Sequence, residues 1–346
     1  MSRQVPIFKD LSGTFMADTC LPLVEAVERG EVTMKALARG HYPGDKFPLQ
    51  TLPGLKTVGF WNAEKDQSWH LPWHRNEGIE LTLLETGSLH FDVVDRHFVL
   101  EPDDLTITLP WQCHRVGDPA VTAGRLHWLI IDVGIRRPNQ EWKWPSWILL
   151  SQPDLEELTY FLRHSEQLVI KSTVETRRCF QSIAQAVKSN KSGSSISRLT
   201  IAINELLVLL LDLYRLRQVP INKSLSGSRR TVHLFLEDLH SHLEQLSLEW
   251  SVKDMAVSCG LGVTQFVHHV RMITNMTPLH YLKHCRLEHA AQLLRDSHET
   301  SVTAIAMTCG FSSSQYFATS FRHRFAYSPR DFRRASDSPK HASTGS

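Results

Sequence analysis

Four side chains that can bind a metal ion lie between positions 70 and 114 of the sequence. They are His70, His74, Glu80 and His114. Imidazole nitrogens and a carboxylate oxygen are ligands that zinc, iron and related ions accept. Such histidines also occur as ordinary residues of a pocket or a surface, and we favour that interpretation. The sequence therefore predicts no bound metal and no cofactor.

Tryptophans surround these polar residues in the sequence, at positions 61, 69, 73 and 111. Aromatic walls with a few polar groups suit a small polar ligand such as a sugar, whose C–H faces stack on indole rings. The alternative is that the tryptophans fill the interior of a domain. We predict a ligand site formed by Trp73, His74, Arg75, Glu80, Trp111 and His114.

The motifs of other chemistries are missing from the sequence. There is no Ser-His-Asp arrangement, phosphate loop or dinucleotide fingerprint, so the sequence does not predict an enzyme. The six cysteines lie far apart without a C-x-x-C pair, which argues against a disulfide framework or a zinc module.

The C-terminal third contains an internal repeat. The stretch VKDMAVSCGLGVTQFVHHVR begins at Val252, and VTAIAMTCGFSSSQYFATSFR begins at Val302. A shared pattern of small residues and glycine recurs 50 positions apart, as Ala256, Cys259 and Gly260 and then as Ala306, Cys309 and Gly310.

Each copy has the pattern of a helix-turn-helix. Gly260 and Gly310 suit the left-handed position that ends a helix. In the second copy Ser312 is predicted to cap the helix that follows, and Gly262 occupies that place in the first copy. Such a duplicated hairpin also occurs in α-helical repeats and protein-binding modules, so the repeat alone leaves these alternatives open.

The segment between the two copies predicts a helix that begins at Pro278 and carries an apolar stripe over about 16 residues. At about 1.5 Å per residue this helix is a rod of roughly 25 Å. A rod of this length can hold two recognition helices about one turn of DNA (~34 Å) apart, so that both enter the major groove on one face of the duplex.

At this point the sequence resembles a known family. Residues from about Val232 to Arg334 are similar to the DNA-binding domain of the AraC/XylS family of bacterial transcription regulators. The matching residues are Ala256, Gly260, Leu261, Pro278, Tyr281, Leu282, Arg286, Leu287, Ala290, Leu293, Leu294, Ile305, Ala306, Gly310, Phe311, Tyr316, Phe317, Phe321, Arg322, Phe325, Pro329, Phe332 and Arg333. The sequence departs from the family pattern at Gly262, where serine is usual, and at Asn275 and Ala326, where glycine is usual.

The resemblance implies that the exposed face of the second helix in each motif contacts DNA. Gln265 and Gln315 would pair with adenine, while Arg271 and Arg322 would reach guanine or phosphate. Arg286 is predicted to be structural or to face phosphate. The DNA-binding residues implied are Thr264, Gln265, His268, Arg271, Ser313, Ser314, Gln315, Thr319 and Arg322.

The N-terminal half contains several short strand-like runs between Gly78 and Val133, which predict an antiparallel barrel or sandwich. A short helix is predicted around 21–38. This region resembles the cupin-type sensor of the same family, since Glu80 is followed by six residues and Gly87. The spacing of its histidines departs from the pattern of metal-dependent cupins.

Three helices are predicted after the strands, and Asp154 is expected to cap the first of them. The third, at about 196–218, carries a broad apolar stripe that needs a partner. That partner is either the protein's own barrel or a second copy in a homodimer. The stripe consists of Leu199, Ile203, Leu206, Leu207, Leu210 and Leu213.

Length and composition fit two globular domains, with 346 residues, 42% hydrophobic and 21% charged. We predict a multidomain α+β protein. Its parts are a cupin-like sensing and dimerisation domain at 1–218 (β-barrel about 55–135, helices about 154–218), a linker at 219–230, an all-α DNA-binding domain with two helix-turn-helix motifs at 231–335, and a disordered tail at 336–346.

The overall net charge of +2 says little about partners. From Arg229 to Arg334, however, there are 12 basic and 9 acidic residues, a mild bias that permits a polyanionic partner. The sequence predicts a cytoplasmic transcription regulator without a membrane segment. Its predicted partners are promoter DNA, a small-molecule effector, a second copy of the chain and RNA polymerase. The alternative function is a metal-dependent cupin enzyme fused to a DNA-binding domain.

Overall fold

The computed structural model describes residues 4–10, 13–18, 20–48, 50–93, 96–135, 140–190, 193–217, 219–223, 227–241, 243–297 and 299–337. The chain forms two compact units, one of residues 1–9 and 14–227 and one of residues 10–13 and 228–346. Part of the predicted linker, 224–226, and most of the predicted tail, 338–346, lie outside the described residues. Residues 336 and 337, which were expected in the tail, continue the last helix.

The described strands form three sheets. A hairpin of β1 and β2 stands alone, a seven-stranded sheet has the order β13-β10-β7-β12-β5-β3-β4, and a four-stranded sheet has the order β6-β11-β8-β9. The strands are β1 (Gln4–Asp10), β2 (Gly13–Asp18), β3 (Val32–Ala38), β4 (Asp45–Lys46), β5 (Leu55–Ala63), β6 (Leu71–His74), β7 (Ile79–Gly87), β8 (Leu89–Val93), β9 (Arg96–Leu100), β10 (Asp104–Thr108), β11 (His114–Val116), β12 (Gly124–Ile131) and β13 (Val169–Lys171).

The seven-stranded sheet is covered on both faces. In β12, Leu126 and Trp128 pack toward the four-stranded sheet, while Leu129 and Ile131 pack against helices on the other side. This alternation follows from the two-residue period of a strand. The two larger sheets face each other without closing, so the predicted barrel is not confirmed, and the described strands form a sandwich instead.

The predicted helix around 21–38 is only half right. The first helix, α1 (Leu21–Glu28), ends before Gly30, whose φ of +73° breaks the helical backbone. The β-branched Val32 and Thr33 then start β3, which pairs with β5 along its whole length. Strand pairing therefore overrides the helical pattern of the second half.

Three helices follow the strands, namely α2 (Gln152–His164), α3 (Val174–Ser189) and α4 (Ile196–Arg217). Ser151, not Asp154, caps α2, because its side chain accepts a hydrogen bond from the backbone N–H of Asp154. All six residues of the predicted α4 stripe are buried in the core of their own unit. The stripe therefore packs on the protein's own sheet and is not left for a second copy.

The C-terminal unit is helical and has two separate cores. Its helices are α5 (Ser228–Ser241), α6 (Leu243–Ser247), α7 (Val252–Ser258), α8 (Val263–Thr274), α9 (Pro278–Asp296), α10 (Val302–Thr308), α11 (Ser314–Phe325) and α12 (Pro329–Asp337). Among the helices of the described part of the chain, none is long and apolar enough to cross a membrane.

Candidate functional site

The turn between the two helices of each motif has the same backbone geometry. Gly260 and Gly310 have φ values of +64° and +79°. In both turns two backbone N–H groups close the end of the first helix, as in a Schellman motif. The bonds join Gly260 N to Val257 O (2.8 Å), Leu261 N to Ala256 O (2.9 Å), Gly310 N to Met307 O (2.9 Å) and Phe311 N to Ala306 O (3.0 Å).

The second helix of each motif, α8 or α11, has one buried and one open face. Phe266 and Val270 of α8, and Phe317 and Phe321 of α11, are fully buried four residues apart. The opposite face holds the residues predicted to contact DNA, and most of them are exposed. The exposed ones are Thr264, Gln265, His268, Arg271, Gln315, Thr319 and Arg322.

The two serines at the start of α11 are half-buried, unlike the other predicted contacts. Ser313 is the residue that caps α11, and its hydroxyl oxygen accepts a 3.2 Å hydrogen bond from Tyr316 N–H. The predicted cap at Ser312 is thus wrong by one residue. Gly262 caps α8 without any side-chain bond, as its lack of a side chain requires.

The two recognition helices differ in charge at their C-terminal ends. The last turn of α11 carries Arg322, His323 and Arg324, whereas that of α8 carries only Arg271. The pKa of His269, also on α8, is lowered first by burial and then by the neighbouring His268 and Arg229, which disfavours the charged form of this ring.

Arg286 has a structural position on α9. Its Nε donates to the carbonyl of Leu246 at 2.8 Å, and its Nη2 donates to the carbonyl of Leu248 at 2.6 Å. These carbonyls lie at the end of α6, where backbone acceptors lack partners within the helix. The prediction had left a structural and a phosphate-facing role open, and these two bonds favour the structural one.

Three of the predicted ligand residues of the N-terminal unit lie together. His74 and His114 are directly opposite each other on β6 and β11, and Glu80 approaches from β7 of the facing sheet. His114 Nε2 is 2.9 Å from Glu80 Oε2, and the ring centres of the two histidines are 4.2 Å apart. Burial acts to raise the pKa of Glu80, but His114, together with His74 and Asn76, outweighs it and lowers the pKa.

The other predicted ligand residues make contacts of their own. Trp73, next to His74 in the strand, is 40% exposed, and the guanidinium of Arg115 lies 5.0 Å from its ring centre. Arg75 is half-buried. Trp111 donates from Nε1 to the carbonyl of Ile135 at 2.8 Å.

The remaining tryptophans and His70 have other surroundings. Trp61 and Trp69 are buried in the apolar core between the two sheets, which agrees with the interpretation that these two fill the interior. His70 Nδ1 lies 3.2 Å from the carbonyl of Pro119, and His70 is not part of the metal-binding group found among the described residues.

Sequence reasoning missed Asn76 and the polar residues behind it. Asn76 donates from Nδ2 to Glu80 Oε2 at 3.0 Å. Tyr42 donates to Glu77 Oε2 at 2.5 Å, and the same hydroxyl lies 3.3 Å from Asn76 Oδ1. Asn76 follows His74 by two residues, and this spacing places the two side chains on the same side of an extended chain. That spacing was the available signal, whereas Tyr42 is brought in only by the tertiary fold.

Two helix-turn-helix motifs joined by a single helix, each with an exposed polar face, define the class of double helix-turn-helix proteins. Comparison with known proteins agrees with this class. Residues 255–335 match the family model described as a helix-turn-helix domain. The chain is 34% identical over 163 residues to the HTH-type transcriptional activator RhaS of Escherichia coli O1:K1, covering 47% of this chain and 55% of that protein. The chain thus spans about half the length of the curated relatives it matches.

Solved structures of similar proteins include an AraC-type regulator from Chromobacterium violaceum, 26% identical, covering 33% of this chain and 98% of that one with a TM-score of 0.29. ToxT from Vibrio cholerae is 10% identical and covers 88% of this chain and 97% of that one, with a TM-score of 0.32. The C-terminal part of the chain is thus similar to helix-turn-helix transcription regulators.

Proposed function

We propose that this protein is a sequence-specific DNA-binding transcription regulator that places α8 and α11 in successive major grooves. The observation that supports this proposal best is the repeated burial pattern. Each recognition helix anchors two apolar residues in its own core and leaves glutamine and arginine exposed on the other side. Glutamine reads adenine and arginine reads guanine through paired hydrogen bonds in the major groove.

The helix between the motifs supports the same function. α9 has 19 residues, which at 1.5 Å per residue gives a length of about 28 Å. This length is close to the ~34 Å repeat of the DNA helix, so both recognition helices can reach one face of a duplex. We expect a binding site of two sequence blocks about one turn apart.

The proposal assigns control of DNA binding to the N-terminal unit, through a small molecule that binds near His74, Glu80 and His114. A ligand can exert such control only if its affinity differs between two arrangements of the protein. A second copy of the chain and RNA polymerase are the further partners proposed. The proposal of a small-molecule site rests on the polar cluster of His74, Glu80 and His114 between the two sheets.

The test begins with selection of genomic fragments bound by the full-length protein, followed by anisotropy titrations at fixed salt. Gln315→Ala should weaken binding to the selected site by about 1–3 kcal/mol because it removes a base-reading pair, and should leave binding to random DNA nearly unchanged. Gln265→Ala should do the same at the other sequence block.

Gln185→Ala provides the matched control, since it removes an exposed glutamine from α3 in the other unit and should not alter binding. Equal losses on selected and random DNA would contradict base reading by Gln315. Failure to enrich any fragment would contradict the function itself.

A further inference from the structure

The cluster between the two facing sheets is a group of three buried or half-buried ligand atoms from His74, Glu80 and His114. These atoms all lie within 4.8 Å of one another. We propose that the three residues bind one divalent transition-metal ion of the zinc, iron and manganese class. This inference concerns the molecule independently of whether it binds DNA.

The protonation of both histidine rings is set by the backbone. His74 Nδ1 is 2.7 Å from the carbonyl of Pro72, and His114 Nδ1 is 3.0 Å from the carbonyl of Gln112. A carbonyl oxygen can only accept, so each Nδ1 carries a hydrogen and each neutral ring has its lone pair on Nε2. Histidines that bind metals are commonly oriented by this kind of bond from the opposite ring nitrogen.

The short distance between His114 Nε2 and Glu80 Oε2 requires a positive charge between these two atoms. The Nε2 lone pair of a neutral His114 would point at a carboxylate oxygen 2.9 Å away, and two such atoms repel unless a proton or a metal ion lies between them. The ring of His74, 4.2 Å from that of His114, adds a second nitrogen at the same place. Two imidazoles and one carboxylate form a set that occurs at zinc and non-haem iron sites.

The backbone also favours a site of this size. His74 and His114 are opposite each other in one sheet, and Glu80 belongs to the other sheet, so the ion would sit between the layers. Ligand atoms around a tetrahedral ion are about 3.4 Å apart, given bonds of about 2.0–2.1 Å. Small side-chain rotations bring atoms that lie within 4.8 Å to that spacing.

Asn76 and Tyr42 hold the carboxylate in place from outside. Asn76 Nδ2 donates to Glu80 Oε2 at 3.0 Å, and the hydroxyl of Tyr42, which donates to Glu77 Oε2, lies 3.3 Å from Asn76 Oδ1. Both Asn76 and Tyr42 are buried. Partners of this kind orient metal ligands, and their loss weakens metal binding by about 10–100-fold.

The experiment uses full-length protein without an affinity tag, stripped with a chelator and then titrated separately with Zn²⁺, Fe²⁺ under anaerobic conditions, Mn²⁺ and Mg²⁺. We expect one tightly bound equivalent of a transition metal, no binding of Mg²⁺, and a melting temperature raised by about 5 °C or more at saturation. Co²⁺ should give absorption bands typical of mixed nitrogen and oxygen ligands.

The variants distinguish metal binding at this site from metal binding by other histidines. This distinction is needed because 10 of the 19 histidines lie between Arg229 and Arg334. His114→Ala and Glu80→Gln should weaken tight binding by at least about 100-fold, and Asn76→Ala by about 10–100-fold. His97→Ala is the control, because its ring is 74% exposed on the same sheet, and it should bind as the wild type does.

Three results would overturn the proposal. The first is that the wild type binds less than a tenth of an equivalent of transition metal. The second is that His114→Ala still binds the metal tightly, and the third is that the Co²⁺ bands of wild type and Glu80→Gln are identical. The Co²⁺ spectrum of the wild type decides the question even if a variant fails to fold. None of these results depends on DNA binding.

Discussion

The two helix-turn-helix motifs share their turns but differ at the ends of their helices. Both turns use a glycine with positive φ and the same pair of backbone bonds. The first recognition helix begins at Gly262 without a side-chain cap, and the second begins at Ser313 with one. Their C-terminal residues, Asn275 and Ala326, are both left-handed, with φ values of 56° and 63°. The turn geometry is thus common to both copies, while the stability of the helix ends is not.

The largest expected effect of a substitution is at the second turn. A Cβ on Gly310 would lie 2.8 Å from the carbonyl oxygen of Leu246 and 2.8 Å from Arg286 Nη2. Gly310→Ala should therefore destabilise the C-terminal unit by about 2–4 kcal/mol, from the left-handed backbone and the clash together. Hydrogen exchange of the C-terminal amides of the full chain, followed across a denaturant series, would measure this change.

Gly30→Ala provides the control for backbone strain alone. Gly30 has a similar φ of +73° with nothing within 4 Å of its Cβ position, and its cost should be about 1 kcal/mol. Equal losses of stability in the two units would show that the contacts of the added Cβ with Leu246 and Arg286 do not contribute to the destabilisation.

The next difference concerns the N-terminal caps. Ser313→Ala removes the bond to Tyr316 N–H and should destabilise the start of α11 by about 1 kcal/mol. Gly262→Ser should stabilise the start of α8 by a few tenths of a kcal/mol. Hydrogen exchange of amides 314–318 and 263–267 measures each end separately. Unchanged exchange in Ser313→Ala, with weakened DNA binding, would make Ser313 a DNA contact and not a cap.

The C-terminal ends should differ by less. Ala326→Gly should stabilise α11 by about 0.5–1 kcal/mol, because glycine adopts positive φ without the Cβ penalty. Asn275→Gly should change the stability of α8 very little, since asparagine tolerates this conformation. A destabilised Ala326→Gly protein in thermal denaturation would contradict the assignment of strain to Ala326.

The smallest effect is a pH dependence confined to the first motif. Ser251 and Asp254 form a reciprocal cap on α7, and the bonds from Ser251 lower the pKa of Asp254. A lowered folded-state pKa contributes stability above the unfolded value of about 3.9, and this stability is lost as the pH falls through the folded-state pKa. The second motif has Ser301 with Ala304 in the corresponding places, so its cap should not titrate.

Melting temperatures of wild type and Asp254→Asn, measured from pH 7 down to pH 3, test this prediction. The difference between them should be constant near neutral pH and should shrink as the pH falls below about 4 toward the folded-state pKa of Asp254. A difference that does not shrink between pH 4 and pH 3 would mean that the Asp254 carboxylate is not its source.

Much of the C-terminal unit could be predicted from the sequence because its determinants are local. The glycines of the turns and the apolar pairs four residues apart specify each motif within about 20 residues. The cap of α11 was misplaced by one residue because Ser312 and Ser313 are equally suitable in sequence, and only the backbone selects Ser313.

The N-terminal site depends on pairing between distant strands, which a single sequence does not specify. His74 and His114 meet because β6 pairs with β11, 40 residues further on, and Glu80 reaches them from another sheet. The same pairing turns Trp73 outward and leaves His70 at Pro119. The alternation of strand residues turns His74 and Trp73 to opposite faces, although the predicted ligand site contained both, and the sequence does not say which of the two faces inward.

The division of α9 between two cores has a consequence for engineering. Leu282 and Cys285 belong to the first core, Leu287 and Leu294 belong to the second, and Arg286 lies between them. A chimera joined at position 286 would keep each hydrophobic core whole while exchanging one recognition helix for that of a relative. Because Arg286 anchors α9 to the carbonyls that end α6, retaining this arginine lets the seam serve as a crossover point for recombining half-site specificities.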